Sequence, residues 1–190
     1  MQLAKLLKFL QCPYCGYPLV LNGPKIIRCS DCNTDYSVIG GVPVLMKEDH
    51  LNVQEKKQQI WFNTHYSKFS DEKYLLENWR LSMLDRIFSF VPKNKIKYYL
   101  DIGCGATGYT VIEAVKRNNW LSFGVDISLE AMLKAKALAQ KNKVSDKTGF
   151  LVCSAEHLPF RNDVFDYVSA VSLLEHIENK KPLKEIDGIA

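Results

Sequence analysis

Two pairs of cysteines near the start of the chain constrain its fold more than any other feature. Cys12 and Cys15 form one C-x-x-C pair, Cys29 and Cys32 form another, and 13 residues separate the pairs. A two-residue gap lets a tight turn point both thiolates at one ion, and the spacer can form a hairpin that brings the two turns together. The spacing therefore predicts four sulfur ligands around a tetrahedral zinc ion.

A zinc ion with four cysteine ligands has no open coordination position, so we expect a structural metal. The alternatives are four unligated thiols or a redox-active pair, and both are disfavoured because two such pairs at this spacing seldom coincide. Clusters of glycine and proline between short apolar runs predict short strands and turns over residues 1–46. We interpret residues 1–50 as a small β-rich zinc ribbon, in which zinc would supply much of the folding free energy.

The next segment has a sequence pattern typical of helices. Residues 51–90 contain no glycine or proline, and apolar residues recur at steps of three and four between positions 75 and 88. This periodicity predicts an amphipathic helix, preceded by a shorter one around Val53–Tyr66. We interpret residues 51–97 as a helical linker or lid and expect three aromatic side chains, Trp61, Tyr66 and Trp79, to lie in the helix core.

Charge and hydropathy narrow the possible partners and the cellular location. The chain has 25 Lys and Arg against 21 Asp and Glu, and the surplus lies in residues 51–97. A nucleic-acid or acidic partner is compatible with this surplus, but there is no strong basic stripe. No apolar run approaches a membrane span, since Lys5 and Lys8 interrupt the apolar start, and no signal-peptide cleavage site follows. We expect a reducing, cytoplasmic location.

From residue 98 onwards short apolar segments alternate with helix-length segments. This alternation favours an α/β domain with a parallel sheet covered by helices. The predicted strands are Tyr98–Ile102, Ser122–Asp126, Phe150–Cys153 and Asp166–Val171, and the predicted helices between the first three are Thr110–Asn118 and Leu129–Lys141.

A glycine-rich loop follows the first of these strands. Gly103, Gly105 and Gly108 lie between the strand and the start of a helix. Glycines there permit positive φ and close approach of the backbone to a ligand, and the helix start offers free N–H groups. A lone G-x-G-x-x-G pattern is a weak signal, because it also fits a dinucleotide site.

Two acidic residues narrow the choice of ligand. Asp126 lies at the end of the second strand, where its carboxylate can accept both hydroxyls of a ribose, and Ile127 could cover one face of an adenine. Asp101 precedes the first glycine, and a carboxylate there suits a ligand with a cationic amino-acid end better than it suits NAD. An NAD-linked oxidoreductase is therefore the weaker interpretation.

These residues resemble motif I and the following acidic loop of class I S-adenosylmethionine (SAM) methyltransferases. The segments Ser154–Phe160, Asp163–Val168 and Leu173–Ile177 are similar to the type 11 subfamily, which includes ubiquinone and menaquinone C-methylases. The resemblance implies a Rossmann-like sheet and a cofactor site that also includes Gly108. Gly103, Gly105 and Asp101 would hold the methionine end, Asp126 the ribose, and Ser154 with Ala155 the adenine edge.

One position departs from the family pattern. The family usually has Gly-Asp before Ala-Glu, whereas this chain has Cys153-Ser154. A serine hydroxyl can accept a hydrogen bond from the adenine amino group, but without the charge assistance of a carboxylate. We expect Cys153, like Cys104, to be a small packing residue rather than a nucleophile.

The first 46 residues carry a second resemblance. The cysteine pairs, Tyr36 and the closing segment Gly40–Met46 are similar to the small zinc-ribbon proteins that activate tRNA, rRNA and protein methyltransferases as a separate subunit. The first region would then be a metal-binding module joined to a methyltransferase.

The class I sheet implied by the resemblance has seven strands in the order 3-2-1-4-5-7-6, and residues 98–190 suffice for four. The fourth strand would be an exposed edge, which a protein partner could cover. We favour a truncated domain, with a partner-completed or a short four-stranded domain as alternatives. The cofactor half is retained, because its residues come from the first three strands.

The leading hypothesis is a SAM-dependent methyltransferase whose acceptor is a small molecule or a translation-related substrate. No catalytic base can be assigned, although Glu175 and His176 follow the fourth strand, where such enzymes often place substrate-facing groups. The alternative is a non-catalytic module that docks on a partner enzyme or an RNA.

Overall fold

The structure is a computed structural model that describes residues 1–68, 78–89, 91, 97–171, 173 and 181–189. Two four-stranded sheets make up its framework, one antiparallel near the start of the chain and one parallel after residue 97. The short helix α1 (Leu3–Leu6) comes first and continues into a 3-10 turn over Leu7–Phe9.

The antiparallel sheet contains both cysteine pairs. Its strands are β1 (Leu19–Leu21), β2 (Ile26–Cys29), β3 (Asp35–Ile39) and β4 (Val42–Pro43), in the order β1-β2-β3-β4. In β3, Tyr36 and Val38 are buried while their neighbours are exposed, as expected of a strand with one face on a core. The predicted short strands and turns are confirmed.

The parallel sheet has the order β7-β6-β5-β8. Strand β5 (Tyr98–Ile102) pairs with β6 (Leu121–Asp126) and β8 (Tyr167–Ser169), and β6 pairs with β7 (Thr148–Val152). All five residues of β7 are buried, which is typical of a parallel strand covered on both faces. This sheet confirms the predicted α/β fold class.

Strand β8 is shorter than the predicted Asp166–Val171. Asp166 precedes it, and its carboxylate accepts the backbone N–H groups of Lys97 and Tyr98 at 2.8 and 2.9 Å. The carboxylate of Asp166 therefore holds the start of β5, and the residue itself is not part of β8.

Helices α4 (Tyr109–Asn118) and α5 (Leu129–Lys141) connect the first three parallel strands. Gly108 precedes α4 with φ +48°, and a Cβ atom there would lie 2.8 Å from Cε1 of Phe150. Glycine is therefore required both by the left-handed backbone and by the close packing of helix on strand. Ser128 caps α5 by accepting the backbone N–H of Ala131.

Helix α2 (Val53–Ser67) begins with a capping box. The side chain of Asn52 accepts the N–H of Glu55, and the carboxylate of Glu55 accepts the N–H of Asn52, both at 2.9 Å. The expectation that Trp61 lies in the helix core is wrong, because Trp61 is 58% exposed and stacks on His65 at the helix surface. Tyr66 is half-buried, and the side chain of Trp79, in α3 (Asn78–Ser89), lies outside the described residues.

The cysteine-bearing segment packs into the same core as the parallel sheet. Leu10 and Tyr36 belong to one buried apolar cluster with Phe123 and Phe160. Backbone hydrogen bonds reinforce the contact, since Gln11 N–H donates to the carbonyl of Pro159 at 2.9 Å. The two sheets are therefore joined by apolar packing as well as by the chain, and the predicted division at residues 50 and 97 stays a prediction.

The two edges of the parallel sheet differ. Val44 pairs with Val152 of β7, and Leu45 N–H donates to the Val152 carbonyl at 2.8 Å, so the segment after β4 covers that edge. Within the described part of the chain, no strand pairs with the outer side of β8. A partner that covers this edge stays a prediction.

Helix α6 (Lys181–Ile189) contacts the segment that precedes β8. Backbone N–H groups of Val164 and Phe165 donate to the carbonyl of Ile189, at 3.1 and 2.9 Å. Among the helices in the described ranges, none combines the length and the apolar character that crossing a membrane requires.

We expect Leu10→Ala to destabilise the whole protein. Leu10 is fully buried between the cysteine-bearing segment and the parallel sheet, and truncation of such a side chain costs about 2–5 kcal/mol. Urea unfolding followed by circular dichroism measures the loss, and Val20→Ala, at an exposed position of β1, is the control. Equal stability of the two variants would contradict a shared core.

Candidate cofactor site and cysteine cluster

The structure brings the four predicted metal ligands together. The Sγ atoms of Cys12, Cys15, Cys29 and Cys32 all lie within 4.8 Å of one another, with separations of 3.8 Å for Cys12–Cys32 and 3.4 Å for Cys15–Cys29. Zinc–sulfur bonds of about 2.3 Å in a tetrahedron place the sulfurs roughly 3.8 Å apart. The donor set and its spacing therefore fit a zinc ion.

Hydroxyl groups surround the sulfur cluster. The Tyr36 hydroxyl lies 3.1 Å from Sγ of Cys12, and the Thr34 hydroxyl lies 3.1 Å from Sγ of Cys32. The Thr34 hydroxyl, together with its backbone N–H, lowers the pKa of the Cys32 thiol to about 6. Such hydrogen bonds favour the thiolate form that a metal binds.

A cavity of about 190 Å³ lies at the carboxyl ends of β5, β6 and β7. Ligands of open α/β sheets bind in this position. The residues that line it come from these strand ends, from α2 and from the segment after β8: Asn52, Gln54, Glu55, Gln58, Phe62, Tyr66, Ile102, Gly103, Val125, Asp126, Ile127, Cys153, Ala155, Glu156, Val171 and Leu173.

The glycine loop has the backbone that the sequence predicts. Gly103, Gly105 and Gly108 all have positive φ, and Gly103 lines the cavity. A Cβ atom on Gly105 would lie 3.2 Å from the hydroxyl of Tyr66, so α2 approaches the loop closely. Gly105 and Gly108 shape the loop and the start of α4 and are outside the set of described residues that line the cavity.

Of the two acidic residues that the sequence predicts for the site, Asp126 lies at the cavity wall. Its Oδ2 accepts the N–H of Gly105 at 3.1 Å, and its Oδ1 accepts the N–H of Ser128 at 2.9 Å. These bonds hold the carboxylate between the glycine loop and the start of α5, and each oxygen can accept a further hydrogen bond. Ile127, the next residue, adds an apolar surface beside it.

Asp101 lies deeper than the cavity wall. Its side chain is buried, and its oxygens accept hydrogen bonds from the hydroxyls of Thr110 and Ser169, the latter at 2.6 Å. Burial raises the pKa of Asp101 to about 6, although both hydroxyls oppose this rise. The carboxylate is outside the set of described residues that line the cavity, so its contact with an amino group stays a prediction.

The loop after β7 turns one predicted residue away from the cavity. Ser154 is 1% exposed, its hydroxyl accepts the N–H of Glu156 at 2.9 Å, and the same hydroxyl donates to the carboxylate of Glu55. Ala155 and Cys153 line the cavity on either side of it. The predicted role of Ser154 at an adenine edge is therefore untested, and its proton is already committed to Glu55.

Helix α2 supplies a wall that sequence reasoning missed. Glu55, Phe62 and Tyr66 line the cavity, and Oδ1 of Asn63 accepts the Ser128 hydroxyl at 2.7 Å. The capping-box pattern Asn-x-x-Glu could have located the start of this helix. Nothing in the spacing of its residues indicates which face meets the sheet.

The remaining candidate groups fall into two classes. Burial raises the pKa of the Cys104 and Cys153 thiols, as expected of inert packing residues. Glu175 and His176 lie outside the described residues.

Comparisons with known proteins agree with this geometry. Residues 100–189 match the family described as "Methyltransferase domain". The 27-O-demethylrifamycin SV methyltransferase of Amycolatopsis mediterranei is 31% identical over 123 residues, which are 64% of this chain and 45% of that protein. Norajmaline N-methyltransferase of Rauvolfia serpentina is 31% identical over 114 residues, 57% of this chain and 39% of that protein. The chain thus spans less than half the length of either relative.

A solved structure shares the fold. The geranyl diphosphate C-methyltransferase of Streptomyces coelicolor A3(2), crystallised with Mg²⁺, geranyl diphosphate and S-adenosyl-L-homocysteine, superposes with a TM-score of 0.60 at 12% identity. The match covers 73% of this chain and 61% of that one. This likeness confirms the predicted Rossmann-like sheet.

We expect the purified protein to contain one zinc ion per chain. Cys29→Ser should abolish most of the bound zinc and lower the free energy of unfolding, because metal binding to such a site contributes to folding. Elemental analysis and thermal unfolding measure both effects. Cys104→Ser, which removes a thiol outside the cluster, should keep its zinc, and a zinc-free wild-type protein would refute the site.

Asp101→Asn should change how stability depends on pH. The folded-state pKa of about 6 exceeds the unfolded value of 3.8, so the unfolded state ionises first and wild-type stability falls as the pH rises from about 4 to about 6. The asparagine variant lacks this fall, so the stability of wild type relative to the variant should drop by about 1–3 kcal/mol between pH 4 and pH 7. Urea unfolding at several pH values measures the difference, and parallel pH profiles would contradict the buried carboxylate.

Proposed function

We propose that this chain, whose residues 100–189 match the methyltransferase domain family, binds SAM in the cavity and transfers its methyl group to a small organic acceptor. One observation carries the proposal. Asp126 is held at the cavity wall by the glycine loop and the start of α5, where a carboxylate can accept both ribose hydroxyls of a nucleoside.

The other residues of the cavity fit the same ligand. Gly103 lets the backbone approach the methionine end, and Ile127 presents an apolar surface to the base. Ala155 lines the cavity beside the proposed position of the base. Ser154 stabilises this loop by accepting the N–H of Glu156. Asp101 accepts the hydroxyl of Thr110 at the start of α4. This hydrogen bond stabilises the glycine loop, which holds the amino end of SAM in this proposal.

Bound SAM supplies an electrophilic methyl group on a sulfonium sulfur. For such a transfer the protein must position the acceptor and exclude water. Phe62, Val171 and Leu173 give the cavity an apolar wall that serves both needs. Helix α2 supplies part of this wall, so we assign residues 51–97 the role of a lid over the methyltransferase domain, residues 98–190.

The acceptor is best described as a small organic molecule. The two relatives are named for 27-O-demethylrifamycin SV and norajmaline, which are both small organic molecules, and the apolar side chains of Phe62, Val171 and Leu173 line the cavity. We therefore favour a small-molecule acceptor over the translation-related substrates considered from the sequence.

The cysteine cluster has a structural role in this proposal. Four thiolates would complete the coordination of zinc and keep no open position for catalysis. All six cysteines, each within the described ranges, are free thiols, which suits a reducing cytoplasmic compartment.

Asp126→Ala should weaken the binding of SAM about 10- to 100-fold, because hydrogen bonds between ribose hydroxyls and a charged group are lost. Isothermal titration calorimetry with SAM measures the dissociation constant. Asp146→Asn, a change at an exposed carboxylate, is the control, and circular dichroism shows whether the variants remain folded.

Two results separate the alternatives. Unchanged affinity in the Asp126 variant would refute the site. Saturable SAM binding by the wild type, without release of S-adenosylhomocysteine across a panel of small hydroxyl and amine acceptors, would favour the non-catalytic module.

A further inference from the structure

At the end of the cavity beyond Asp126, the loop after β7 carries a buried serine, Ser154, and a half-buried carboxylate, Glu156, which lines the cavity. The hydroxyl of Ser154 already accepts one hydrogen bond from Glu156 N–H and donates another to Glu55. Its proton is therefore not available to a ligand, and Ser154 is outside the set of described residues that line the cavity. A ligand that offers an amino group at this end needs an acceptor other than Ser154.

Glu55 meets that requirement from a different element. It lies in the first turn of α2 and is 7% exposed, yet it lines the cavity. Its Oε2 accepts the N–H of Asn52 and its Oε1 accepts the hydroxyl of Ser154, so both oxygens face donors. A carboxylate so fixed keeps lone pairs for one further donor and loses little side-chain entropy when it binds.

Glu156 is the competing acceptor at this end of the cavity. Its side chain is only half-buried, and its Oε1 lies 3.4 Å from the Asn52 side-chain nitrogen. A half-buried carboxylate that lacks a donor from the ligand can bind water instead, so it discriminates weakly between ligands. A buried carboxylate has no such replacement, and a missing donor costs more binding free energy. Selectivity for a donor group should therefore come from Glu55.

We infer that Glu55 recognises the amino-bearing edge of the cofactor's purine, so that the helix before the sheet, rather than the loop after β7, supplies the acceptor carboxylate. This inference rests on the proposed function, since Asp126 fixes the ribose and thereby directs the base away from the glycine loop. The base then extends past Ile127 towards Ala155 and Glu55, which line the same cavity.

The proposal has a consequence for helix α2, which lines one side of the cavity. Glu55 and Asn63 both attach α2 to the sheet domain, through Ser154 and Ser128. A purine amino group bound to Glu55 would add a third attachment. Binding of the cofactor should therefore slow amide hydrogen exchange along α2.

The test compares two nucleosides that differ at one group. S-Adenosylhomocysteine carries the amino group, and its 6-deamino analogue, with purine in place of adenine, has a hydrogen atom there. We expect wild-type protein to prefer the adenosyl compound by about 10- to 100-fold, the range of a hydrogen bond to a charged group. Glu55→Gln should reduce this preference to about threefold or less, because a neutral amide oxygen accepts a weaker hydrogen bond than a carboxylate.

Three further variants make the comparison sharp. Glu48→Gln removes an exposed carboxylate upstream of α2 and should leave the preference intact. Glu156→Gln should retain most of it. Ser154→Ala removes the hydroxyl that donates to Glu55 and should also keep the preference, whereas a purely structural role for Glu55 through Ser154 predicts that this variant loses it as Glu55→Gln does.

The outcomes separate the two proposals. A wild-type protein that binds neither compound overturns the proposed function. A wild type that binds both compounds equally, or a preference that survives in Glu55→Gln, overturns the role of Glu55 alone. Loss of the preference in Glu156→Gln with retention in Glu55→Gln would transfer the role to Glu156.

Discussion

The carboxylate of Asp126 makes the interaction on which the cavity depends. It accepts one backbone N–H from the glycine loop and one from the turn before α5, so two elements that follow different strands are held at a fixed separation. Three residues of the loop are glycines with positive φ, and they bring no side chain that could fix its shape. The carboxylate of Asp126 therefore supplements the backbone bonds from Gly103 and Cys104 N–H to the Val125 carbonyl in holding the loop in place.

The first fifty residues contribute to the sheet domain more directly than a tethered module would. Leu10 and Tyr36 share the apolar cluster of Phe123, and the segment after β4 pairs with the edge of β7. A core that spans both regions means that the cysteine cluster and the cavity rest on common packing. The match to the methyltransferase family begins at residue 100, so the half of this packing that Leu10, Tyr36 and Val44 contribute lies outside the matched region.

Patterns local in sequence predicted much of this molecule. The cysteine spacing predicts that four sulfurs meet, and the glycine pattern predicts a loop with positive φ, and the structure has both features. The ligand contacts of the glycines and of Asp126 stay predictions. The site wall formed by α2 could not be predicted, because its contacts join residues about 100 positions apart, as in Glu55 with Ser154. Trp61 shows the same limit: helical periodicity does not reveal that Ile60 and Trp61 lie on the exposed face of α2 while Glu55 is buried.

The pairing of Val44 with Val152 has a consequence for the protein in a cell. The strand it protects is buried along its whole length, and a bare edge of such a strand recruits other chains. The segment after β4 therefore occupies hydrogen-bonding groups of β7 with which a second chain could otherwise pair.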